Sequence, residues 1–188
     1  MVRSILQTNR SGVIGRHQRG SMLSLNDYVF YSTIGICQIA DIRVVELGGL
    51  GKQECYVLKP LANPKSTIYL PASQNATLNT MRPVLSKKDI YSLIRHMPKA
   101  KSIWIDDARK RNKEYLAIIK TCDSRKLAGL IKTLQLEKSR DNKKGKGLNS
   151  TDSKIMIAAE KLLYEEFAFV LGIDVNEVIP FIQKRIPR

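Results

Sequence analysis

The sequence predicts an α+β protein in two parts: a small antiparallel β-barrel, then an all-α bundle of about five helices. Apolar residues alternate loosely, as in half-buried strands, up to about residue 71, and recur with a helical period after Pro83. The chain has 188 residues, enough for two small domains, and 43% of them are hydrophobic. This hydrophobic share is that of an ordinary globular protein, so we expect both parts to fold.

The first part contains four short segments with strand character. They are residues 27–31, 36–45, 54–59 and 66–70, which are rich in β-branched and aromatic side chains. A glycine-rich turn at 48–51 and Pro71 separate or end them. Short strands at this spacing indicate a small SH3-like antiparallel barrel, whose exposed strand edges can accept a strand of a partner.

The second part begins with three segments of helical period. Ser86, followed by Asp89 three residues later, predicts the capped start of the first helix. The second helix is expected from about residue 102 to residue 121. Asp123 or Ser124 is the expected cap of the third, in which apolar residues recur at i, i+3, i+4 and i+7.

Two more helices are predicted after a basic, glycine-containing loop at residues 138–147. Both have recognisable ends, because one opens on small polar residues and is followed by a glycine, and the other opens on a capping box. The first of these helices is expected to begin at Thr151 or Asp152 and to end before Gly172. The second is expected to begin at the capping box of Asp174 with Glu177.

The net charge of +15 is concentrated in one block of the chain. Residues 22–81 carry four basic and four acidic side chains, whereas residues 82–147 carry 19 basic and 7 acidic ones. A plain solvated basic surface and a polyanion-binding surface both fit a basic protein. Concentration of the charge beside a neutral segment favours nucleic acid, since each neutralised phosphate releases counterions.

Cysteine usage and hydropathy indicate the cytoplasm. Cys37, Cys55 and Cys122 are widely spaced and form no CxxC motif, so neither a disulfide framework nor a zinc site is expected. No apolar run approaches the roughly 20 residues that span a bilayer, so no membrane association is expected. We also expect no cofactor and no enzymatic activity, because the sequence contains no nucleophile–base pair, carboxylate pair or metal cluster.

The expected domain division is 1–21, 22–81 and 82–188. The first segment lacks the apolar stretch that a signal peptide requires. Gly20-Ser21 directly precedes the point at which the strand-like pattern of apolar residues begins. We interpret it as a leader foreign to the fold, with the native start at Met22. Intact mass of the protein expressed from its own gene tests this interpretation.

Two features of the basic block are open to two interpretations each. Trp104 is the chain's only tryptophan, and such a residue either packs in a core or takes part in binding. The run Arg109-Lys110-Arg111 is either a phosphate-binding patch or a solvated helix face.

The ordered set of motifs resembles the CarD/CdnL family of bacterial transcription regulators. The resemblance runs from Met22 to about Leu171, and no single motif in it is highly specific. Its residues are Asp27-Tyr-Val-Phe-Tyr31, Tyr56-Val-Leu-Lys59, Thr67-Ile-Tyr-Leu-Pro71, Trp104, Arg109-Lys-Arg111, Leu127-Ala-Gly-Leu-Ile131 and Ala158-Ala-Glu-Lys-Leu-Leu163.

The resemblance implies a monomeric adaptor that stabilises the open promoter complex. Its SH3/Tudor-like barrel would bind the β subunit of RNA polymerase through a strand formed by Thr67, Ile68, Tyr69 and Leu70. Its helical domain would bind promoter DNA, with Trp104 wedged into the minor groove. The phosphate contacts implied for that domain are Arg109, Lys110, Arg111 and Lys113.

Two departures from the family pattern stand out. Four extra residues, about one helical turn or ~6 Å, lie between Trp104 and Asp123, so the wedge should either approach DNA from a different angle or not reach it. Tyr69 stands where some members carry an arginine at the polymerase contact, so that ion pair should be missing.

A general RNA- or ribosome-binding protein is the alternative function. It requires an aromatic stacking face on the strands, for which Tyr31, Tyr56 and Tyr69 are the candidates. The neutral charge of residues 22–81 argues against it.

Overall fold

The computed structural model describes residues 23–72, 80–143 and 147–186, without the side chains of residues 50 and 141–143. Within these ranges five β-strands are followed by five α-helices, which confirms the predicted α+β class. The predicted leader lies outside the described residues. No helix in the described part of the chain is both long and apolar enough to cross a membrane.

The strands form one antiparallel sheet. They are β1 (Tyr28–Tyr31), β2 (Gly35–Glu46), β3 (Lys52–Pro60), β4 (Ile68–Pro71) and β5 (Met81–Pro83), in the spatial order β4-β3-β2-β1-β5. β4 and β5 are the edges and do not pair with each other, so over the described residues the predicted barrel is an open sheet. A register shift between Ile39 and Asp41 bends β2, which gives the sheet curvature without closing it.

Strand β5 was missed by the sequence patterning because it has only three residues and ends in proline. Proline is tolerated there, since β5 pairs with β1 on one side only. β5 also runs two residues past the predicted domain boundary at residue 81.

The helices are α1 (Lys87–His96), α2 (Ala108–Lys120), α3 (Ser124–Lys143), α4 (Ser150–Leu171) and α5 (Val175–Gln183). The capping boxes of α1 (Ser86 with Asp89) and α5 (Asp174 with Glu177) are confirmed. Gly172 follows α4 in the left-handed conformation, at φ 71°, as its position predicted.

Three helix boundaries differ from those predicted. α2 begins at Ala108 rather than near residue 102, because the Asp107 carboxylate accepts the N–H groups of Arg109 and Lys110 at 2.9 Å and caps the helix. α3 continues to Lys143 through most of the predicted loop. α4 is capped by Asn149, whose side chain accepts the Asp152 N–H at 2.8 Å.

Two apolar cores lie on either side of β1, whose successive side chains point to opposite faces. Phe30 points into the large core of the helical bundle and is fully buried there. The small core beneath the sheet is formed by Val29, Cys37, Ile39, Leu58 and Met81.

A partly buried ion pair joins the sheet to the bundle. The Arg82 guanidinium, in β5, donates to both carboxylate oxygens of Glu166 in α4 at 2.6 and 2.7 Å, and lies 4.4 Å from the Phe30 ring centroid. Glu166 is fully buried and also accepts the Leu85 N–H at 2.9 Å. Both oxygens of the Glu166 carboxylate therefore accept hydrogen bonds that hold the two parts together.

The turn between α2 and α3 adds a second contact with the sheet. Cys122 has a left-handed backbone, at φ 57°, and its thiol lies against the loops of the sheet. The thiol donates to the Thr80 carbonyl at 2.9 Å and accepts the Ser32 N–H at 3.0 Å.

Candidate nucleic-acid interface and strand edge

Trp104 lies in an irregular segment between a 3-10 turn at Met97–Lys99 and helix α2. Its ring is half-buried and packs against the core of the bundle. The indole Nε1–H donates to the Asp106 carboxylate at 3.1 Å, and the Arg111 guanidinium lies 4.2 Å from the ring centroid. The ring therefore packs in part against the bundle, and the binding interpretation of Trp104 stays a prediction.

The segment that carries Trp104 is held by hydrogen bonds to two helices. The Ile103 N–H donates to the Thr133 hydroxyl of α3 at 3.1 Å. The Ile103 carbonyl accepts the Tyr115 hydroxyl of α2 at 3.2 Å. These contacts explain why residues 101–105 form no helix, although their apolar spacing resembles that of one.

Arg111 is placed differently from its basic neighbours. Its side chain points inward and is only 4% exposed. Nη2 donates to Asp152 Oδ2 at 2.8 Å, and Nη1 donates to the carbonyls of Ile105 and Asp106 at 2.6 and 3.1 Å. The hydrogen bond with Asp152 raises the pKa of Arg111, so the guanidinium stays charged. In this position Arg111 supports Trp104 rather than facing a phosphate.

Asp152 completes this buried cluster from the first turn of α4. Its carboxylate is 3% exposed and accepts the Asn149 side-chain amide at 2.6 Å in addition to Arg111. The cluster thus ties the Trp104 segment, α2 and α4 together. Sequence reasoning missed Asp152, because 41 residues separate it from Arg111 and no local pattern joins them.

The other predicted phosphate contacts, Arg109, Lys110 and Lys113, are exposed on α2. No described carboxylate lies within ion-pair distance of them. Lys110 and Lys113 are three residues apart and share one helix face. Together the three present unneutralised positive charge on the helix that directly follows Trp104.

Three further cations, which sequence reasoning missed, line a groove beside the Trp104 segment. Lys101, Arg125 and Lys126 are exposed and border a cavity of about 390 Å³ between residues 100–103, α2 and the start of α3. Ile103, Ile118 and Gly129 contribute to its walls. The only signal in the sequence was their membership of the basic block, which does not distinguish one lysine from another.

The predicted polymerase-binding strand is β4, an open edge of the sheet. Ile68 and Leu70 pack on the small core, whereas Tyr69 is 40% exposed. Thr67 precedes the strand, and its hydroxyl accepts the Lys59 ammonium at 2.5 Å.

The register of β4 determines which backbone groups face the edge. The Ala72 N–H donates to the Glu54 carbonyl at 2.8 Å, and bonded pairs alternate along an antiparallel ladder. Leu70 therefore bonds to β3, and the N–H and carbonyl of Tyr69 face outward. Pro71, which has no N–H, occupies the next outward position, where a donor is not needed.

A cation accompanies Tyr69 on this surface. The Arg43 guanidinium, from β2, donates to the Tyr69 hydroxyl at 3.1 Å and lies 5.7 Å from its ring centroid. The Asp41 carboxylate lies 3.6 Å from the same guanidinium. Both side chains are exposed, so this ion pair contributes little stability.

No group of three or more His, Cys, Asp or Glu side chains in the described ranges is arranged to hold a metal ion. The three cysteines are buried as free thiols.

Comparison with known proteins accounts for both parts of the chain. Residues 23–85 match the family model described as the CarD-like/TRCF RID domain, and residues 90–183 match the CarD C-terminal domain. No curated protein sequence matches the chain. The RID is an RNA-polymerase-interacting domain, so the sheet and bundle correspond to the two parts of a transcription regulator that interacts with RNA polymerase. The chain belongs to the CarD-like family.

Proposed function

We propose that this protein stabilises the open promoter complex by binding the β subunit of RNA polymerase and promoter DNA at the same time. The edge strand β4 binds the polymerase, and the basic surface of the bundle binds DNA without sequence specificity. The protein acts as a monomer at the cytoplasmic nucleoid, without cofactor and without covalent chemistry.

The observation that carries this proposal is the setting of Trp104. A partly exposed aromatic ring sits on a segment that hydrogen bonds tie to two helices. The next helix carries three cations that have no ion-pair partner among the described residues. Cations on such a helix bind phosphates irrespective of base sequence. An aromatic wedge inserted at a deformed step offsets part of the unstacking cost, and so favours melted over paired DNA.

The neutral sheet is suited to protein rather than to nucleic acid. Its outward-facing Tyr69 backbone can pair with a strand of the polymerase. Arg43 supplies a guanidinium beside Tyr69, and we propose that this cation replaces the one expected to be missing at residue 69.

The RNA-binding alternative loses support from the positions of the tyrosines. Tyr31 and Tyr56 pack against the small core, and only Tyr69 is substantially exposed. A stacking platform requires several exposed rings on one face.

Trp104→Ala in the full-length protein tests the proposal. We expect open-complex lifetime, measured after competitor challenge, to fall about tenfold or more, because a wedge offsets a few kcal/mol of unstacking per step. Binding to the polymerase should not change, since β4 belongs to the sheet. An unchanged lifetime would show that Trp104 serves only in packing.

A further inference from the structure

The groove beside the Trp104 segment combines two kinds of surface. Lys101, Arg125 and Lys126 stand around its rim, and no described carboxylate is within ion-pair distance of any of them. Aliphatic carbons of Ile103 and Ile118 form part of its wall. The groove is therefore complementary to a ligand that joins a flat apolar group to an anion.

Gly129 is the second observation at this groove. It lies inside α3, where glycine destabilises a helix by about 1 kcal/mol relative to alanine. Its backbone does not have a positive φ, and an added Cβ would meet no atom within 4 Å. Neither conformation nor packing thus requires glycine here. Because glycine has no side chain, the groove stays open at this position.

We propose that this groove receives one unpaired nucleotide of melted DNA, with its base against the aliphatic wall and its phosphates at the cationic rim. The inference rests on the proposed function and adds to it a site that binds the separated strand. Apolar side chains accept the face of any base, so the site has little base preference. Paired DNA cannot use it, because its bases stay stacked in the duplex.

The rim, rather than the end of α3, supplies the charge that holds the phosphates. The first N–H groups of α3, at Arg125 and Lys126, are already accepted by the Asp123 carboxylate at 2.9 and 3.1 Å. The side chains of the same two residues are exposed at the groove, together with that of Lys101.

The test compares Gly129→Met with Gly129→Ala in the full-length protein. The methionine side chain fills the groove, whereas the alanine methyl leaves most of it empty, and both favour the helix. Each variant is titrated with a fluorescent duplex ending in an unpaired fork and with the fully paired duplex. We expect wild type and Gly129→Ala to prefer the fork, because the groove buries one base against apolar side chains and the Trp104 wedge also favours melted DNA. Gly129→Met should lose about tenfold of this preference, which is the part that burial of the base contributes. It should keep the part that Trp104 contributes and melt no earlier than wild type.

The possible outcomes separate this inference from the proposed function. If Gly129→Met keeps the full wild-type preference for the fork, the groove proposal is wrong and the proposed function stands. If wild type binds neither DNA, the proposed function fails. If Gly129→Met binds both DNAs as wild type does but loses the polymerase, the occupant is a polypeptide and the nucleotide proposal is overturned.

A second variant tests the rim independently of groove volume. Lys126→Gln should lower the slope of log affinity against log salt for the fork by about 1, because one phosphate contact is lost. An unchanged slope would exclude Lys126 from the site.

Discussion

Arg111 shows how a basic residue can support a proposed DNA-binding surface from inside the fold. Its neighbours Arg109, Lys110 and Lys113 face solvent, whereas its guanidinium lies between the Trp104 ring and the Asp152 carboxylate. A buried charge of this kind is tolerated only because it is paired and its N–H groups have acceptors. The pair holds the Arg111 guanidinium against the Trp104 ring and so fixes the orientation of that ring.

Asp152→Asn is the most direct test of this arrangement. It keeps the size of the side chain but leaves the buried Arg111 charge unpaired, which should lower the free energy of unfolding by about 3–5 kcal/mol. Urea unfolding measures this change. Fluorescence of Trp104, the only tryptophan in the sequence, should shift to the red and become more accessible to acrylamide.

Glu165→Gln is the matched control on the same helix. Its ion pair with Lys161, at 3.9 Å, is partly exposed, so its loss should cost no more than about 1 kcal/mol. Equal effects of the two substitutions would contradict the role given to the Asp152–Arg111 pair.

Strand β4 is the element through which the sheet is proposed to bind the polymerase. Its inner side chains contribute to the small core, and its outward backbone groups belong to Tyr69. An added strand would bond to those groups, so affinity should depend on the Tyr69 N–H as well as on its side chain.

Tyr69→Pro removes that N–H, while the hydrogen bonds of β4 to β3 stay intact. Proline fits the outward position of an edge strand, so the fold should persist. We expect polymerase binding in a pull-down with full-length protein to fall more than in the Tyr69→Ala variant, which loses only the side chain. Equal affinities of the two variants would argue that β4 does not bind by strand addition.

The elements differ in how far the sequence could predict them. Strands β1 to β4 and the capping boxes at Ser86 and Asp174 were predictable, because they depend on local periodicity and on residues three apart. The start of α2 was not, since contacts of Ile103 with Thr133 and Tyr115 override its helical spacing. The same holds for the candidate site: its cations and Trp104 were visible in the sequence, but the inward turn of Arg111 depends on distant Asp152.

At the scale of the whole molecule, sheet and bundle form one packed body with ionisable groups throughout its interior. Cys37 lies in the small core, Cys122 at the contact between the parts, and Tyr115 and Tyr164 in the bundle. Burial raises the pKa of Cys37 to about 11, and those of Tyr115 and Tyr164 to about 12. It also raises the pKa of Cys122.

Stability should therefore fall as the pH rises above 9. The unfolded chain loses the Cys37 proton near pH 9 and the folded protein keeps it to about pH 11, so the folded state binds more protons in this window. The loss from Cys37 is about 2–3 kcal/mol at 1.36 kcal/mol per unit of pKa. Urea unfolding at pH 8 to 11 measures it. Cys37→Ala should have a shallower pH dependence, and an equal slope would refute the assignment.

The ion pair between Arg82 and Glu166 has a consequence for synthesis on the ribosome. Its partners are 84 residues apart, so at roughly 5–20 residues per second Arg82 is made about 4–17 s before Glu166. Throughout this interval Phe30, which the finished protein buries completely, has no complete bundle to cover it. The nascent chain thus displays an aromatic surface of the kind that chaperones bind, and translation speed sets how long it does so.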